Sequence, residues 1–210
     1  MKKINKKLLF ITSLVTLLPV FIGLLFWSYF PNELPIHFNL SGQADNYGSK
    51  FFSLIILPFM LLGVHLLCVF VTTKDPKSLN IGRKVSSLIY WLIPIISCIE
   101  MLAIYLPALK IISPNIIFMN LILGLIFIVV GNYLPKVKQN YTVGIKLPWT
   151  LNNEENWNKT HRLAGKLWVV GGIIILLDGL FGVTGEYLTF GVLAIIIIIP
   201  IIYSYRLSQR

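Results

Sequence analysis

Long apolar runs alternate with short polar segments six times along the chain. Each run holds about 20 residues, the length that a helix rising about 1.5 Å per residue needs to cross a hydrocarbon core about 30 Å thick. The first run is too long for the apolar region of a secretory signal peptide, and no small-residue cleavage site follows it, so we expect it to remain as a helix. The pattern therefore predicts six transmembrane helices, near residues 8–30, 51–72, 86–109, 115–135, 164–183 and 187–205.

The predicted fold is an all-α polytopic membrane protein that forms a single membrane domain over residues 1–210. Residues 8–72 contain the first two spans and a loop at 31–50, and residues 86–205 contain the other four spans and a loop at 136–163. Composition supports this class, because 56% of the residues are hydrophobic and 12% are charged, far from the balance of a soluble domain.

The positions of the lysines and arginines predict the orientation in the membrane. Sixteen of these 18 residues lie before the first run, after the sixth, between runs two and three, between runs four and five, or at the foot of run five, which are all on one face of the membrane. Lys50 and Lys110 are left for the other face. The positive-inside rule then places both termini and loop 136–163 in the cytoplasm and loop 31–50 outside. The net charge of +10 thus reflects topology, and we expect no direct nucleic-acid binding.

The external loop, residues 31–50, combines two helix-breaking prolines with the turn-forming stretch "SGQADNYG", so we expect an ordered, hairpin-like cap. Its His37, Asn39 and Asp45 are candidates for a small polar or metal-binding cluster, or for ordinary solvated loop residues. One loop does not supply an assignable set of metal ligands, so we predict no metal site. The candidate residues of this loop are Pro35, His37, Asn39, Gly42 and Asp45.

The cytoplasmic loop begins with the turn-rich stretch "NYTVGIKLPW". Gly144 is free to adopt a positive φ, and Pro148 restricts the residue before it to extended backbone. We then predict a helix that begins at Asn152 as its N-cap, with Glu155 three positions later as in a capping box.

One stripe of this helix carries Trp157, His161, Ala164 and Trp168, which recur at helical spacing as the chain enters the fifth span. Two interpretations remain open for the stripe. It either anchors the helix in the interfacial layer of the membrane or forms a docking or ligand-binding surface.

Two acidic residues, Glu100 and Asp178, lie inside predicted spans at the same predicted depth. Charges at membrane depth are tolerated mainly where they face the helix bundle, so two carboxylates at one level are candidates to share a proton or hold a cation. Alternatively, each is separately hydrogen-bonded or close enough to the outer surface to be hydrated. His65, in the second run, is expected to be a buried, hydrogen-bonded histidine.

Catalytic motifs are absent from the sequence, since it contains no HExxH, no GxSxG and no phosphate-binding loop. The glutamate pair in "EENWNKTH" is predicted on a surface helix, which does not suit an intramembrane protease. Cys68 and Cys98 fall in separate apolar runs and are expected to be small buried residues. We therefore expect neither an enzyme nor a bound cofactor.

The segment "GNYLPKVKQNYTVGIKLPWTLNNEENWNKTHRLAG" resembles the SdpI family of bacterial membrane immunity proteins. The stretch "LPIHFNLSGQADNYGSK" is similar to the N-terminal domain of unknown function that often accompanies that family. The chain departs from the family pattern at Lys146 and Leu147, where an arginine and a threonine are usual, and lysine lacks the bidentate fork of arginine. The residues that match the pattern are Asn132, Pro135, Asn140, Gly144, Pro148, Trp149, Thr150, Leu151, Trp157, Thr160 and His161.

This resemblance implies a multi-pass protein of the bacterial cell membrane that protects the producing cell against a secreted peptide toxin. The founding member of the family also signals by drawing a small winged-helix repressor to the membrane, so such a repressor is a second expected partner on the cytoplasmic side. The alternative function is a proton-coupled transporter or exporter that uses Glu100 and Asp178. The sequence predicts no oligomeric state.

Overall fold

A computed structural model of the protein describes residues 3–39, 43–112, 116–181 and 186–209. Six of its helices are long and apolar enough to cross a membrane, which confirms the six predicted spans and the class of a multi-pass membrane protein. The helices are α1 (Lys6–Leu25), α2 (Leu57–Lys74, preceded by a π-helical turn at Phe52–Ile56), α3 (Arg83–Ala108), α4 (Ile116–Tyr133), α5 (Pro148–Asn152), α6 (Glu154–Phe181) and α7 (Glu186–Ser208).

The chain divides into two compact units. The N-terminal unit contains Lys3–Val71 and Ser87–Asn115, and therefore α1, most of α2 and most of α3. The C-terminal unit contains Thr72–Ser86 and Ile116–Arg210, so the connection between α2 and α3 belongs with α4 to α7.

An antiparallel hairpin in the N-terminal unit forms the expected cap at residues 31–50. Its strands are β1 (Glu33–Phe38) and β2 (Ala44–Ser49). Leu34 of β1 is fully buried in a cluster with side chains of α3, whereas the side chains of β2 are largely exposed. Lys50, just beyond β2, donates to the carbonyl oxygen of Trp27 at 3.3 Å, so this lysine stabilises the carbonyl end of the first span.

Several polar side chains among α1, α2 and α3 bond to a neighbouring helix. Nε2 of His65 lies 2.9 Å from the hydroxyl of Thr12, which confirms that this histidine is buried and hydrogen-bonded. Pro19 has no N–H to offer the carbonyl of Val15, the acceptor it would otherwise bond four residues earlier, and the thiol of Cys98 lies 3.6 Å from that oxygen. Both cysteines are free and partly buried.

In the C-terminal unit, α4 and α6 approach closely at a pair of glycines. A Cβ added to Gly124 would lie 2.7 Å from the carbonyl oxygen of Gly172, and one added to Gly172 would lie 2.7 Å from that of Gly124. Small residues allow such close backbone packing between membrane helices. The contact holds α6, which carries much of the motif, tightly against α4.

A proline also interrupts the hydrogen-bond ladder of α7, and α6 compensates for it. Pro200 cannot donate to the carbonyl of Ile196, and the indole N–H of Trp168 donates to that oxygen at 3.1 Å instead. In a bilayer no water is present to satisfy such a carbonyl, so the indole bond links α6 to α7.

We predict that Trp168→Phe destabilises the protein by about 0.6 kcal/mol, the average for a hydrogen bond between membrane helices. The cost should shrink in a Pro200→Ala background, because the alanine supplies the missing N–H to Ile196. Unfolding in mixed micelles, followed by circular dichroism, would give the coupling energy of this double-mutant cycle. Trp149→Phe is the matched control, since the indole nitrogen of Trp149 has no partner among the described residues. An equal cost of Trp168→Phe in both backgrounds would contradict the prediction.

Candidate functional site

The candidate site is the motif loop, which we define as residues 136–153, together with the start of α6. Apart from a short 3-10 turn and α5, this loop has no regular secondary structure to satisfy its backbone N–H and C=O groups. Buried side chains bond them instead. The site is therefore described by those side chains, which come from the loop itself, from α6 and from the connection between α2 and α3.

Asn140 organises the first turn of the motif loop. Its Oδ1 accepts from the backbone N–H groups of Val143 at 2.7 Å and Thr142 at 2.9 Å. Its Nδ2 donates to the carbonyl oxygens of Lys138 at 2.8 Å and Val143 at 3.0 Å. The side chain is fully buried and uses both the oxygen and the NH₂ group of the amide. An aspartate of the same size would therefore lose the two donated bonds.

Asp75, in the connection between α2 and α3, fastens this turn to the rest of the unit. Its Oδ2 accepts from the N–H of Tyr141 at 2.8 Å and from the hydroxyl of Thr142 at 2.9 Å. Its Oδ1 accepts from the N–H of Lys77 at 2.7 Å. These donors satisfy a carboxylate that is 3% exposed, as a buried charge requires.

Gln139 forms a second attachment between the connection and the motif loop. Its Oε1 accepts from Nζ of Lys77 at 2.6 Å, and its backbone oxygen accepts from Nδ2 of Asn80 at 2.8 Å. Its Nε2 donates to the carbonyl oxygens of Thr150 and Leu151, both at 2.9 Å. One side chain thus ties α5 to the α2–α3 connection.

Gly144, Trp157 and His161 form the centre of the site. The indole and imidazole rings stack with their centroids 4.1 Å apart at 19°, and the indole N–H donates to the carbonyl oxygen of Val137 at 2.7 Å. Gly144 has φ of 120° and lies so close to the stack that an added Cβ would collide with Nε2 of His161 and lie 2.9 Å from Cζ2 of Trp157. The positive φ expected for Gly144 is confirmed, and the ring contact is a second reason for glycine there.

Both ring nitrogens of His161 have partners that define its tautomer. Nδ1 lies 2.8 Å from the carbonyl oxygen of Trp157, which can only accept, so Nδ1 carries the proton. Nε2 accepts from the N–H of Ile145 at 2.9 Å. The imidazole is therefore neutral and holds the segment after Gly144 against α6.

These contacts correct our expectation for the stripe of α6. Trp157 and His161 are 0% and 1% exposed, so neither is an interfacial anchor or a docking surface. The loop covers them, and Trp168 bonds to α7. Helical spacing shows which residues share a face, but it does not show what covers that face.

The predicted start of the helix is also wrong by one residue. Asn152 is the last residue of α5, and Oδ1 of Asn153 accepts from the N–H of Asn156 at 2.9 Å as the cap of α6. Glu155 does not complete a capping box but pairs with Lys159, one turn on, at 2.6 Å. Asn153 can act as the N-cap because its backbone is extended, which ends α5 before α6 begins.

The remaining motif residues divide between the interior and the surface. The hydroxyl of Thr150 lies 2.9 Å from the carbonyl oxygens of Ile145 and Leu147, so it closes the turn at Pro148. The ring of Trp149 packs edge-on against Tyr205 of α7, with centroids 5.4 Å apart. Asn132 and Lys146 have exposed side chains, so they belong to the surface of the site.

Thr160 belongs to a buried polar cluster that links α6 to the end of α7. Its hydroxyl donates to Oδ1 of Asn156 at 3.0 Å. Ser204 donates to the same oxygen at 2.8 Å and accepts from Nδ2 of Asn156 through its carbonyl, also at 2.8 Å. Asn156 and Ser204 were not candidates from the sequence, because an asparagine in an Asn-rich segment and a serine near a helix end give no specific signal.

The external candidates form one polar pair and one turn contact. Nδ1 of His37 lies 2.5 Å from Oδ1 of Asp45, and both side chains are exposed. Oδ1 of Asn39 accepts from the N–H of Gln43 at 2.9 Å, whereas Pro35 is buried on β1 opposite Tyr47. Gly42 lies outside the described residues. Within the described part of the chain, no group of three His, Cys, Asp or Glu side chains is placed to hold a metal ion.

The two intramembrane acids belong to different units. Asp178 of α6 is buried and accepts from Nδ2 of Asn120 at 3.3 Å, and Asn120 in turn accepts from the hydroxyl of Thr189 at 3.4 Å. Asp178 thus follows the hydrogen-bonded alternative, in a network that joins α4, α6 and α7. Glu100 is partly buried on α3 of the N-terminal unit.

Residues 136–204 match the profile of the SdpI/YfhL protein family, and residues 14–62 match a Domain of unknown function (DUF1648). The Immunity protein SdpI of Bacillus subtilis (strain 168) is 26% identical over 204 residues, which cover 95% of this chain and 93% of that relative. No solved structure matches the chain.

The SdpI/YfhL match contains the motif loop and the indole–imidazole stack, but it leaves out part of the site. Asp75 and Lys77 lie outside both matched segments. Sequence reasoning also missed Asp75, whose only signal is a single acid in the otherwise basic connection "KDPK". Its partners in the motif loop are 66 and 67 residues away, so no local pattern identifies it.

We predict that Gly144→Ala opens the motif loop while the spans remain folded. Alanine at this φ carries about 2 kcal/mol of strain, and its Cβ would displace His161. Backbone amides of residues 137–147 should exchange hydrogen about tenfold faster or more, as measured by hydrogen–deuterium exchange in micelles. Gly191→Ala is the matched control, because a Cβ there meets nothing within 4 Å. Unchanged exchange in the Gly144 variant would refute the packing described.

We further predict that Asp75→Asn detaches the loop from the α2–α3 connection. An asparagine has one acceptor oxygen, so its NH₂ group must face either Lys77 or the Tyr141–Thr142 turn, at a cost of about 1–3 kcal/mol. Trypsin should then cleave faster after the exposed Lys138 and Lys146. Asp45→Asn, in the exposed hairpin, serves as the control. Equal cleavage rates in all three proteins would show that Asp75 does not hold the loop.

Proposed function

We propose that this chain is an immunity protein that protects its cell against a secreted antimicrobial peptide by binding, without catalysis. The observation that carries the proposal is the match to an immunity protein along 95% of the chain. The intact motif geometry supports it, because the matched segment contains the buried Asn140, Trp157 and His161 with all their polar groups bonded.

For contact with the toxin, we favour the hairpin β1–β2, since a secreted peptide arrives from the side to which the lysine and arginine distribution assigns this segment. The buried Leu34 of β1 attaches the hairpin to the N-terminal unit. The exposed strand β2 offers an accessible surface with Tyr47, which is 55% exposed, and the His37–Asp45 pair. A rigid attachment with one exposed strand suits recognition of an extended peptide.

Signalling to a small winged-helix repressor would be a second activity, on the cytoplasmic side. Trp157 and His161 are buried, so a repressor would contact the outer surface of the motif loop, where Tyr141, Lys138 and Lys146 are exposed. In this arrangement the buried residues shape the loop and the exposed residues contact the partner.

Proton-coupled transport is the competing function, and the buried Asp178 with its bond to Asn120 is the observation that favours it. A transporter would need the carboxylate to gain and lose a proton. A binding protein needs only the hydrogen bonds, which an asparagine in place of Asp178 can largely reproduce.

We predict that expressing the chain in cells killed by the secreted peptides of its producer restores growth. The double variant Glu100→Gln with Asp178→Asn should protect as well as the unchanged chain, whereas His37→Ala with Asp45→Ala should protect less. Survival is measured against peptide dose, with membrane abundance checked by immunoblot. Unchanged killing at normal abundance would overturn the immunity proposal, and loss of protection in the acid variant alone would favour transport.

A further inference from the structure

Arg162 and Lys166 lie four residues apart on α6, and both side chains are exposed. At 3.6 residues per turn they share a face that points away from the buried stripe of Trp157 and His161. Neither forms an ion pair within the described residues, since Glu155, the acid two turns earlier, is taken by Lys159 at 2.6 Å. Two cations therefore stand unneutralised where α6 enters the membrane.

The same face continues as an apolar stripe. Val170, Ile173 and Leu177 follow at spacings of four, three and four residues from Lys166, and all three are exposed. With Arg162 and Lys166 they fall within an arc of about 80° on the helix. Because α6 is long and apolar enough to span the membrane, these exposed side chains are open to contact with lipid acyl chains.

We propose that this stripe binds an anionic phospholipid of the cytoplasmic leaflet, with Arg162 and Lys166 on the headgroup phosphate and Val170, Ile173 and Leu177 along an acyl chain. The two cations match the charge of the headgroup phosphate, and the apolar side chains match the acyl chain. The guanidinium binds phosphate oxygens in a bidentate manner, and the ammonium adds a point charge. The apolar half of the stripe distinguishes a lipid from a soluble acidic partner, which would contact the cations alone.

Native mass spectrometry of the full chain in detergent tests the proposal with two lipids, phosphatidylglycerol and phosphatidylcholine. We expect tighter binding of phosphatidylglycerol, and about a thirtyfold weakening in Arg162→Gln with Lys166→Gln. Arg162→Lys should keep only part of the affinity, because the charge remains but the bidentate contact is lost. The matched control Lys138→Gln with Lys146→Gln removes two exposed cations from the motif loop and should bind like the unchanged chain.

Three outcomes would overturn the proposal. Equal binding of the two lipids would show that charge does not select the ligand. Equal weakening in the two double variants would mean that net charge acts without a defined site. Displacement of the lipid by millimolar inorganic phosphate would mean that the cations bind a phosphate group without help from the apolar stripe. Circular dichroism of every variant confirms that a loss of binding is not a loss of fold.

Discussion

In a membrane protein, every backbone N–H and C=O group that a helix leaves unbonded must find another partner within the protein. Pro19 and Pro200 each free one carbonyl at the level of the apolar runs, and in both cases a side chain from a neighbouring helix reaches it: the thiol of Cys98 and the indole of Trp168. Because these bonds run between helices, each carbonyl that a proline leaves unbonded in one helix forms a bond to a neighbouring helix.

The backbone N–H and C=O groups of the motif loop also need partners, and they are more numerous than those freed by a proline. It turns back on itself between α4 and α6 with few backbone-to-backbone bonds of its own. Asn140 and Gln139 bond its backbone from within, and Asp75 does so from the preceding connection. Asn140 is therefore structural, because a short amide offers two donors and two acceptor lone pairs to a backbone without a ladder.

Hydropathy alone predicts the spans, because crossing a bilayer demands about 20 apolar residues, and turn chemistry predicts the hairpin and the positive φ of Gly144. The sequence does not predict what surrounds Trp157 and His161, since a helical face can be covered by lipid, by a partner or by the chain's own loop. The role of Asp75 was not predicted for a related reason, because its bond to Tyr141 joins segments 66 residues apart. A bond between residues far apart in the chain produces no periodic pattern in a single sequence.

This distribution determines how the residues of the motif loop and the start of α6 relate to function. The motif residues with the strongest chemical character, Trp157 and His161, are fully bonded and covered, so replacing them alters the shape of the loop before it alters any contact with a partner. Residues whose replacement leaves the loop intact are the exposed ones, such as Lys146 and Tyr141. A contact with a cytoplasmic protein is therefore separable from the fold only at the exposed positions, and loss of activity at the buried stack indicates a loop that has opened.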